Sequence, residues 1–236
     1  MSGHSKWAQI KRQKGIADSK RANVFTRLGK NITLAAKGGG DPTMNFRLRL
    51  AIDKAKAANM PKDNIEKAIK RGTGALDGGA LEEIIYEGYG PGQVAMLIQT
   101  VTDNKNRTVA DIKHLFNKYG GNLGGPGSVA WMFSARGVIR PTKSTEAETI
   151  ELKAIEADAE DVITEEGETI IYTSPTELQR VKDELEQQGV PIDYAEVEMV
   201  AKDTVPVPDE HQGQLESLLL ALDENDDVNT YYTNAK

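Results

Sequence analysis

The spacing of apolar residues changes abruptly at a glycine-rich stretch, TGALDGGALEE at 73–83, and this change constrains the fold more than any other feature. Before it, apolar residues recur at helical spacing in three successive segments. After it, short apolar runs of strand length alternate with amphipathic helical segments. The sequence therefore predicts a helical domain followed by α+β structure.

The three helical segments are predicted to pack as a small antiparallel bundle. Ser19 is the expected N-cap of a first helix that ends near Ala36, Asp41-Pro42 is expected to open a second, and Pro61 a third. The residues at inward positions share helical spacing: Val24, Phe25, Leu28, Ile32, Ala35 and Ala36; Met44, Leu48, Ala51, Ile52 and Ala55; Ile65, Ala68 and Ile69.

The order of elements after the boundary is informative. Strands are predicted at 84–87, 94–101 and 129–133, with a helix at 106–119. A β-α-β-β-α-β series follows, the order of ferredoxin-like domains. Its predicted ranges are 138–141, 147–157, 162–165, 169–173, 176–188 and 195–201. A last helix, 212–222, and strand, 229–233, cannot form a core alone, so they are expected to complete the first sheet.

These patterns predict a multidomain α and α+β fold: an N-terminal three-helix bundle plus two α+β domains, one ferredoxin-like and inserted in the other. The expected domains are 1–78, a basic helical domain with a mobile N-terminal arm; 79–135 with 205–236, a discontinuous α+β domain; and 136–204, the inserted ferredoxin-like domain.

The charge of the chain changes at the same boundary as its predicted secondary structure. Residues 1–74 contain 17 Lys or Arg and five Asp or Glu, a net charge of +12. The whole chain carries −7, so the remaining 162 residues carry −19. A basic segment on an acidic body is typical of proteins that bind a polyanion, most often nucleic acid, although Lys and Arg that only keep a bundle soluble are the alternative.

The sequence does not contain the residues that several kinds of functional site require. The chain has no Cys and three widely spaced His, so neither a thiolate zinc site nor a cysteine nucleophile is expected, and no metal or cofactor is predicted. The glycine clusters at 88–92 and 120–127 do not match phosphate-binding loops, and DENDDV at 223–228 is interpreted as a solvated turn. Without an apolar run of about 20 residues or a signal peptide, a cytoplasmic protein is predicted.

TDNKNRT at 102–108 has two interpretations. It places Lys105 and Arg107 near a helix N-terminus, where they could bind a phosphate. Alternatively, Asn106 or Thr108 simply caps the helix, with Asp111 completing a partial capping box.

The predicted nucleic-acid contacts are mainly cations that neutralise phosphates, with Trp7 as a base-stacking or core residue and His4 as a hydrogen-bonding contact. The full set is His4, Lys6, Trp7, Lys11, Arg12, Lys14, Lys20, Arg21, Arg27, Lys30, Lys37, Arg47, Lys54, Lys105 and Arg107.

Five segments together resemble the YebC family over essentially the whole chain. They are GHSKWAQIK (3–11), NMPKDNIEKAIKRGTG (59–74), YEGYGPGQVAML (86–97), TDNKNRT (102–108) and GGNLG…GSVAWMF (120–133). The resemblance is to bacterial members. It implies a helical domain plus two α+β domains, one inserted in the other.

The resemblance also implies a regulator of gene expression rather than an enzyme. Bacterial members are described as probable transcriptional regulators that bind DNA, and mitochondrial relatives as translational activators. The expected partner is therefore DNA, or alternatively ribosomal RNA on the ribosome, and no membrane. The basic helices are rich in Lys and lack a base-reading cluster, so contacts to the phosphate backbone are expected. Oligomeric state is left open.

Overall fold

The computed structural model describes residues 18–77, 79–142, 146–165 and 167–236, and the side chains of 18–22, 46 and 165 are not described. The helices are α1 Asp18–Ala36, α2 Phe46–Ala57, α3 Lys62–Gly72, α4 Lys105–Lys118, α5 Ala147–Glu156, α6 Leu178–Gln187 and α7 Asp209–Glu224. The strands are β1 Glu82–Gly90, β2 Val94–Thr102, β3 Asn122–Leu123, β4 Phe133–Pro141, β5 Asp161–Glu165, β6 Glu168–Thr173, β7 Ile192–Ala201 and β8 Val228–Thr233.

Helices α1 to α3 form the predicted bundle around one apolar core. Its buried residues are Ile32, Ala35, Ala36, Leu48, Ile52, Ala55, Met60, Ile65 and Ala68. Helix α1 approaches α3 so closely that a Cβ at Gly72 would collide with the carbonyl oxygen of Thr33. The Thr33 hydroxyl donates to the Ala68 carbonyl, 3.1 Å away, so this buried hydroxyl is satisfied.

The start of α2 differs from the prediction. Asn45, not Asp41, is the N-cap: its side-chain oxygen accepts from the Leu48 N–H at 3.0 Å. Its amide nitrogen donates to the Ala35 carbonyl at 2.8 Å, so one side chain closes the end of α1 and the start of α2. Met44 consequently precedes the helix and is 87% exposed, and its predicted core position is wrong.

The first sheet has the order β3-β1-β2-β8. Strands β1 and β2 form an antiparallel hairpin that pairs Gly90 with Val94 at its turn. The turn, Pro91–Gln93, contains Gly92 at φ 71°, which accounts for one glycine cluster as a tight turn. Gly88 allows close approach of β3, since a Cβ there would lie 2.7 Å from the Asn122 carbonyl oxygen. Strand β8 completes this sheet, as predicted.

The second sheet has the order β5-β6-β4-β7, and its strands and helices follow the predicted β-α-β-β-α-β series. This is the ferredoxin-like arrangement, inserted between β3 and β8 of the first sheet. One face packs on α5 and α6 through Ile139, Ile150, Ile171, Val181 and Leu185. The other carries a smaller cluster of Val138, Ile170, Tyr172 and Val200.

Strand β4 corrects the prediction of separate strands at 129–133 and 138–141. Ala130–Met132 is a short 3-10 helix, and a single strand then runs from Phe133 through Gly137 to Pro141. Gly137 lies within this strand, and glycine is required there because a Cβ would collide with the Thr173 hydroxyl on β6.

The described chain divides into two compact units, one of 129–207 with 232–236 and one of 18–128 with 208–231. The predicted three-domain ranges, 1–78, 79–135 with 205–236, and 136–204, stay a prediction, and β4 runs across the predicted boundary at 135/136.

Candidate nucleic-acid interface

Two predicted site residues on α1 contact the acidic turn, defined here as residues 223–227 at the end of α7. Arg27 donates to the carbonyl oxygen of Asp223, and Lys30 Nζ donates to the Asp226 carbonyl oxygen at 2.9 Å. Lys30 also lies 2.7 Å from Oδ1 of Asp227. Burial lowers the pKa of Arg27, although the charge of Asp223 opposes that effect. These cations face protein acceptors.

Asp227 is the centre of this contact and is only 5% exposed, so the interpretation of 223–228 as a solvated turn is wrong for this residue, although Glu224 and Asp226 are exposed. Arg107 Nη2 donates to its Oδ2 at 2.8 Å, and the hydroxyl of Thr108 donates to the same oxygen at 2.8 Å. Burial acts to raise the pKa of Asp227, but the hydrogen bonds from Lys30, Arg107 and Thr108 outweigh it and lower that pKa to about 2. The carboxylate therefore stays ionised and neutralises charge from both α1 and α4.

The 102–108 loop is closed by a cap that was not predicted. Asn104, rather than Asn106 or Thr108, caps α4 and accepts from the Arg107 N–H at 3.1 Å. The Lys105 ammonium lies 2.5 Å from Oε2 of Glu82. Both cations of the loop thus have carboxylate partners within the protein.

The remaining predicted nucleic-acid contacts fall into those that the structure describes and those that it does not. Lys37 donates to the Leu81 carbonyl at 2.5 Å, Arg47 lies 2.9 Å from Oε2 of Glu83, and Lys54 is exposed on α2. The predicted contacts His4, Lys6, Trp7, Lys11, Arg12 and Lys14 lie outside the described residues, as do the side chains of Lys20 and Arg21. The structure brings Lys30 and Arg107 together on one carboxylate and leaves Arg47 and Lys54 on another surface.

That other surface, called the outer surface below, is the solvent-facing side of α2 and α3. Residues 46–72 contain eight Lys or Arg and three Asp or Glu, a net charge of +5. The eight cations are exposed: Arg47, Arg49, Lys54, Lys56, Lys62, Lys67, Lys70 and Arg71. Six of them were not among the predicted contacts, although their spacing opposite the apolar stripe identifies them as outward-facing.

The last turn of α3 carries the most available charge. Lys67, Lys70 and Arg71 have no ion-pair partner among the described residues. Elsewhere on the outer surface the ion pairs are exposed: Lys56 lies 3.8 Å from Asp53, and Lys62 lies 3.6 Å from Glu66. Exposed pairs of this kind contribute little and exchange readily for other anions.

Neither a metal-binding cluster nor a membrane-spanning helix is found among the described residues. Within 18–77, 79–142, 146–165 and 167–236, the side chains of His, Asp and Glu nowhere form a group of three that could hold a metal ion. None of the described helices combines the length and apolar character needed to cross a bilayer.

Two family models together match nearly the whole chain. Residues 5–75 match the model of the TACO1/YebC protein N-terminal domain, and residues 81–235 match the model of the TACO1/YebC second and third domain. A protein of Moorella thermoacetica named "Probable transcriptional regulatory protein" is 53% identical, covering 100% of this chain and 95% of its own length. One of the same description from Geobacter sulfurreducens is 49% identical, covering 99% and 95%.

Among solved structures, a conserved hypothetical protein from Aquifex aeolicus superposes with a TM-score of 0.89 at 46% identity. The match covers 98% of this chain and 97% of the other. With family models along nearly all its length and relatives near 50% identity, this chain belongs to the TACO1/YebC family.

Proposed function

We propose that this protein is a cytoplasmic regulator of gene expression that binds double-stranded DNA through its phosphate backbone. The principal contact is the outer surface of the basic domain, residues 1–78. The observation that carries the proposal is the exposed triplet Lys67, Lys70 and Arg71, which has no ion-pair partner among the described residues. The names of the bacterial relatives support the regulatory role.

The composition of the outer surface favours backbone contact over base reading. Its exposed polar positions are mostly Lys and Arg, and α2 contains no Asn or Gln that could pair with an adenine edge. Ammonium groups neutralise phosphates irrespective of sequence. The acidic body adds specificity of a different kind, since its negative charge repels DNA and restricts contact to the basic domain.

Salt-dependent binding of labelled duplex DNA to the full chain tests this proposal. We expect Lys67→Gln/Lys70→Gln/Arg71→Gln to weaken binding and reduce the slope of log affinity against log salt by about 2 to 3, because about 0.9 counterions are released per phosphate contact. The matched control is Arg180→Gln/Lys182→Gln/Lys202→Gln, which removes the same charge from another part of the chain. Equal losses in both variants would show a net-charge effect and contradict the proposed surface.

A second candidate function is that of a ribosome-associated translation factor that binds ribosomal RNA. The absence of Asn and Gln from α2 favours it, because a surface of Lys and Arg also suits the phosphates of an RNA helix. Backbone contact predicts similar affinity for promoter and scrambled duplex, so the two candidate functions differ in their nucleic-acid partner and not in sequence preference. Tighter binding of ribosomal RNA than of duplex DNA at the same salt, with salt-sensitive co-sedimentation on ribosomes that the Lys67/Lys70/Arg71 variant loses, would select the translation factor.

A further inference from the structure

Helix α5 has an apolar face that no described residue covers. Its inward face is buried at Ile150 and Ala154 against the second sheet. On its outward face Leu152 is 65% exposed and Ile155 is 61% exposed. At i, i+3 spacing these two side chains are neighbours on the helix surface, so they form one patch. Large apolar side chains that are adjacent and exposed are typical of interaction surfaces.

Carboxylates frame this patch. Glu148, Glu151 and Glu156 are exposed on the same helix, and none has an ion-pair partner among the described residues. The one cation of α5, Lys153, is directed elsewhere: its ammonium donates to the carbonyl oxygen of Gln188 at 2.7 Å. The patch is therefore apolar at its centre and negative around it.

The charge of the surrounding chain has the same sign. Residues 129–207 contain 18 Asp or Glu and seven Lys or Arg, a net charge of −11. A nucleic acid would be repelled by this field, and a second copy of α5 would bring like charges together. The complementary partner carries positive charge and apolar side chains at once.

We propose that the outward face of α5 binds a basic amphipathic segment of a protein partner, such as a Lys-rich helix with one apolar stripe. Leu152 and Ile155 contact the stripe, and the three glutamates pair with the flanking cations. This mode is that of a helix laid against an apolar surface, in which apolar contacts provide affinity and charges select the partner. The inference is independent of the proposed nucleic-acid surface on α2 and α3.

Two labelled peptides test this inference on the full chain by fluorescence anisotropy. One has lysines and leucines at helical spacing, and the other has glutamine in place of every leucine. We expect the lysine–leucine peptide to bind at least about tenfold more tightly, a preference that Leu152→Gln/Ile155→Gln removes. Glu148→Gln/Glu151→Gln/Glu156→Gln should weaken both peptides and reduce their salt dependence. Amide exchange should slow at 147–156 when the lysine–leucine peptide is bound.

The controls match each change. Ile85→Gln/Val197→Gln removes two other exposed apolar side chains, 54% and 46% exposed, and Glu210→Gln/Glu216→Gln/Glu224→Gln removes three carboxylates from α7. Both should bind the peptide like the parent protein, and all variants should bind duplex DNA alike. Unchanged peptide affinity in the Leu152/Ile155 variant would overturn the inference. So would protection of α5 by duplex DNA or double-stranded RNA instead of by the peptide.

Discussion

Three cations of α1 and α4 differ from three cations in the last turn of α3, although the sequence makes them look alike. Arg27, Lys30 and Arg107 face the acidic turn and are neutralised within the protein. Lys67, Lys70 and Arg71 face solvent. The first set stabilises the fold and the second is available to a ligand. Net charge alone therefore overstates the number of cations that a nucleic acid can use.

The largest expected effect is that of Asp227→Ala. This change leaves Lys30 and Arg107 without their shared carboxylate, and we expect it to lower the free energy of unfolding by about 2 to 3 kcal/mol. That is less than the roughly 3 to 5 kcal/mol expected for a broken fully buried pair, because the Arg107 side chain is 49% exposed. Urea denaturation measures this loss. The control is Asp226→Ala at the exposed neighbouring residue, which should change the free energy of unfolding by less than about 0.5 kcal/mol. Equal stability of the two variants would mean that the acidic turn does not hold these cations.

The pH dependence of stability should reveal the same carboxylate. The folded-state pKa of Asp227 is lowered to about 2 from 3.8, so its contribution is complete above the unfolded value and is lost as pH falls from about 4 to about 2. We expect the stability difference between the parent protein and Asp227→Asn to be constant above about pH 5 and to shrink by about 2 kcal/mol toward pH 2. A difference that does not change with pH would contradict the hydrogen-bonded carboxylate.

A pair of single substitutions separates the two sets of cations. Lys30→Gln should lower the free energy of unfolding by about 1 to 2 kcal/mol, because it removes a charged hydrogen bond to Asp227, and should change DNA affinity less than twofold. Lys70→Gln should show the opposite pattern. Its free energy of unfolding should change by less than about 0.5 kcal/mol, and its DNA affinity should fall about threefold or more. Melting curves and DNA titrations on both variants provide the measurement. Similar changes in stability and in DNA affinity for both variants would contradict the division of the cations into a structural and a ligand-binding set.

The smallest expected effect is that of Glu66→Gln. This change removes one carboxylate from the outer surface and one exposed ion pair with Lys62, so stability should change by less than about 0.5 kcal/mol. DNA affinity should rise about twofold at low salt and be unchanged at high salt, because screening removes long-range attraction. The matched change Glu186→Gln on α6 also breaks an i,i+4 pair with a Lys and should leave DNA binding unaltered.

Local periodicity was sufficient to predict most of the fold. Amphipathic helices and short strands are visible in single segments, and the order of elements predicted both the ferredoxin-like series and the return of the last strand to the first sheet. Asn45 was missed because Asp41-Pro42 is an equally good local start signal. What decides between them is the hydrogen bond to Ala35, which depends on how the first two helices meet.

The candidate site was less predictable for a similar reason. Nothing near Arg107 in the sequence indicates that Asp227 is its acceptor, since the two are separated by 120 positions. The same holds for Gly137, where the close Thr173 hydroxyl lies on a strand many residues later. The sequence shows that the cations are concentrated in the first 74 residues. Only the tertiary structure shows which of them remain exposed.

The position of β8 at the edge of the first sheet has a consequence for synthesis of the chain. Strand β2 remains an unpaired edge, and Lys30 and Arg107 remain without Asp227, until residues 223–233 have left the ribosome. The ferredoxin-like series lies wholly upstream and has all its strands before then. A nascent chain therefore exposes more positive charge and an open strand edge, the features most prone to misassociation, until its last elements arrive.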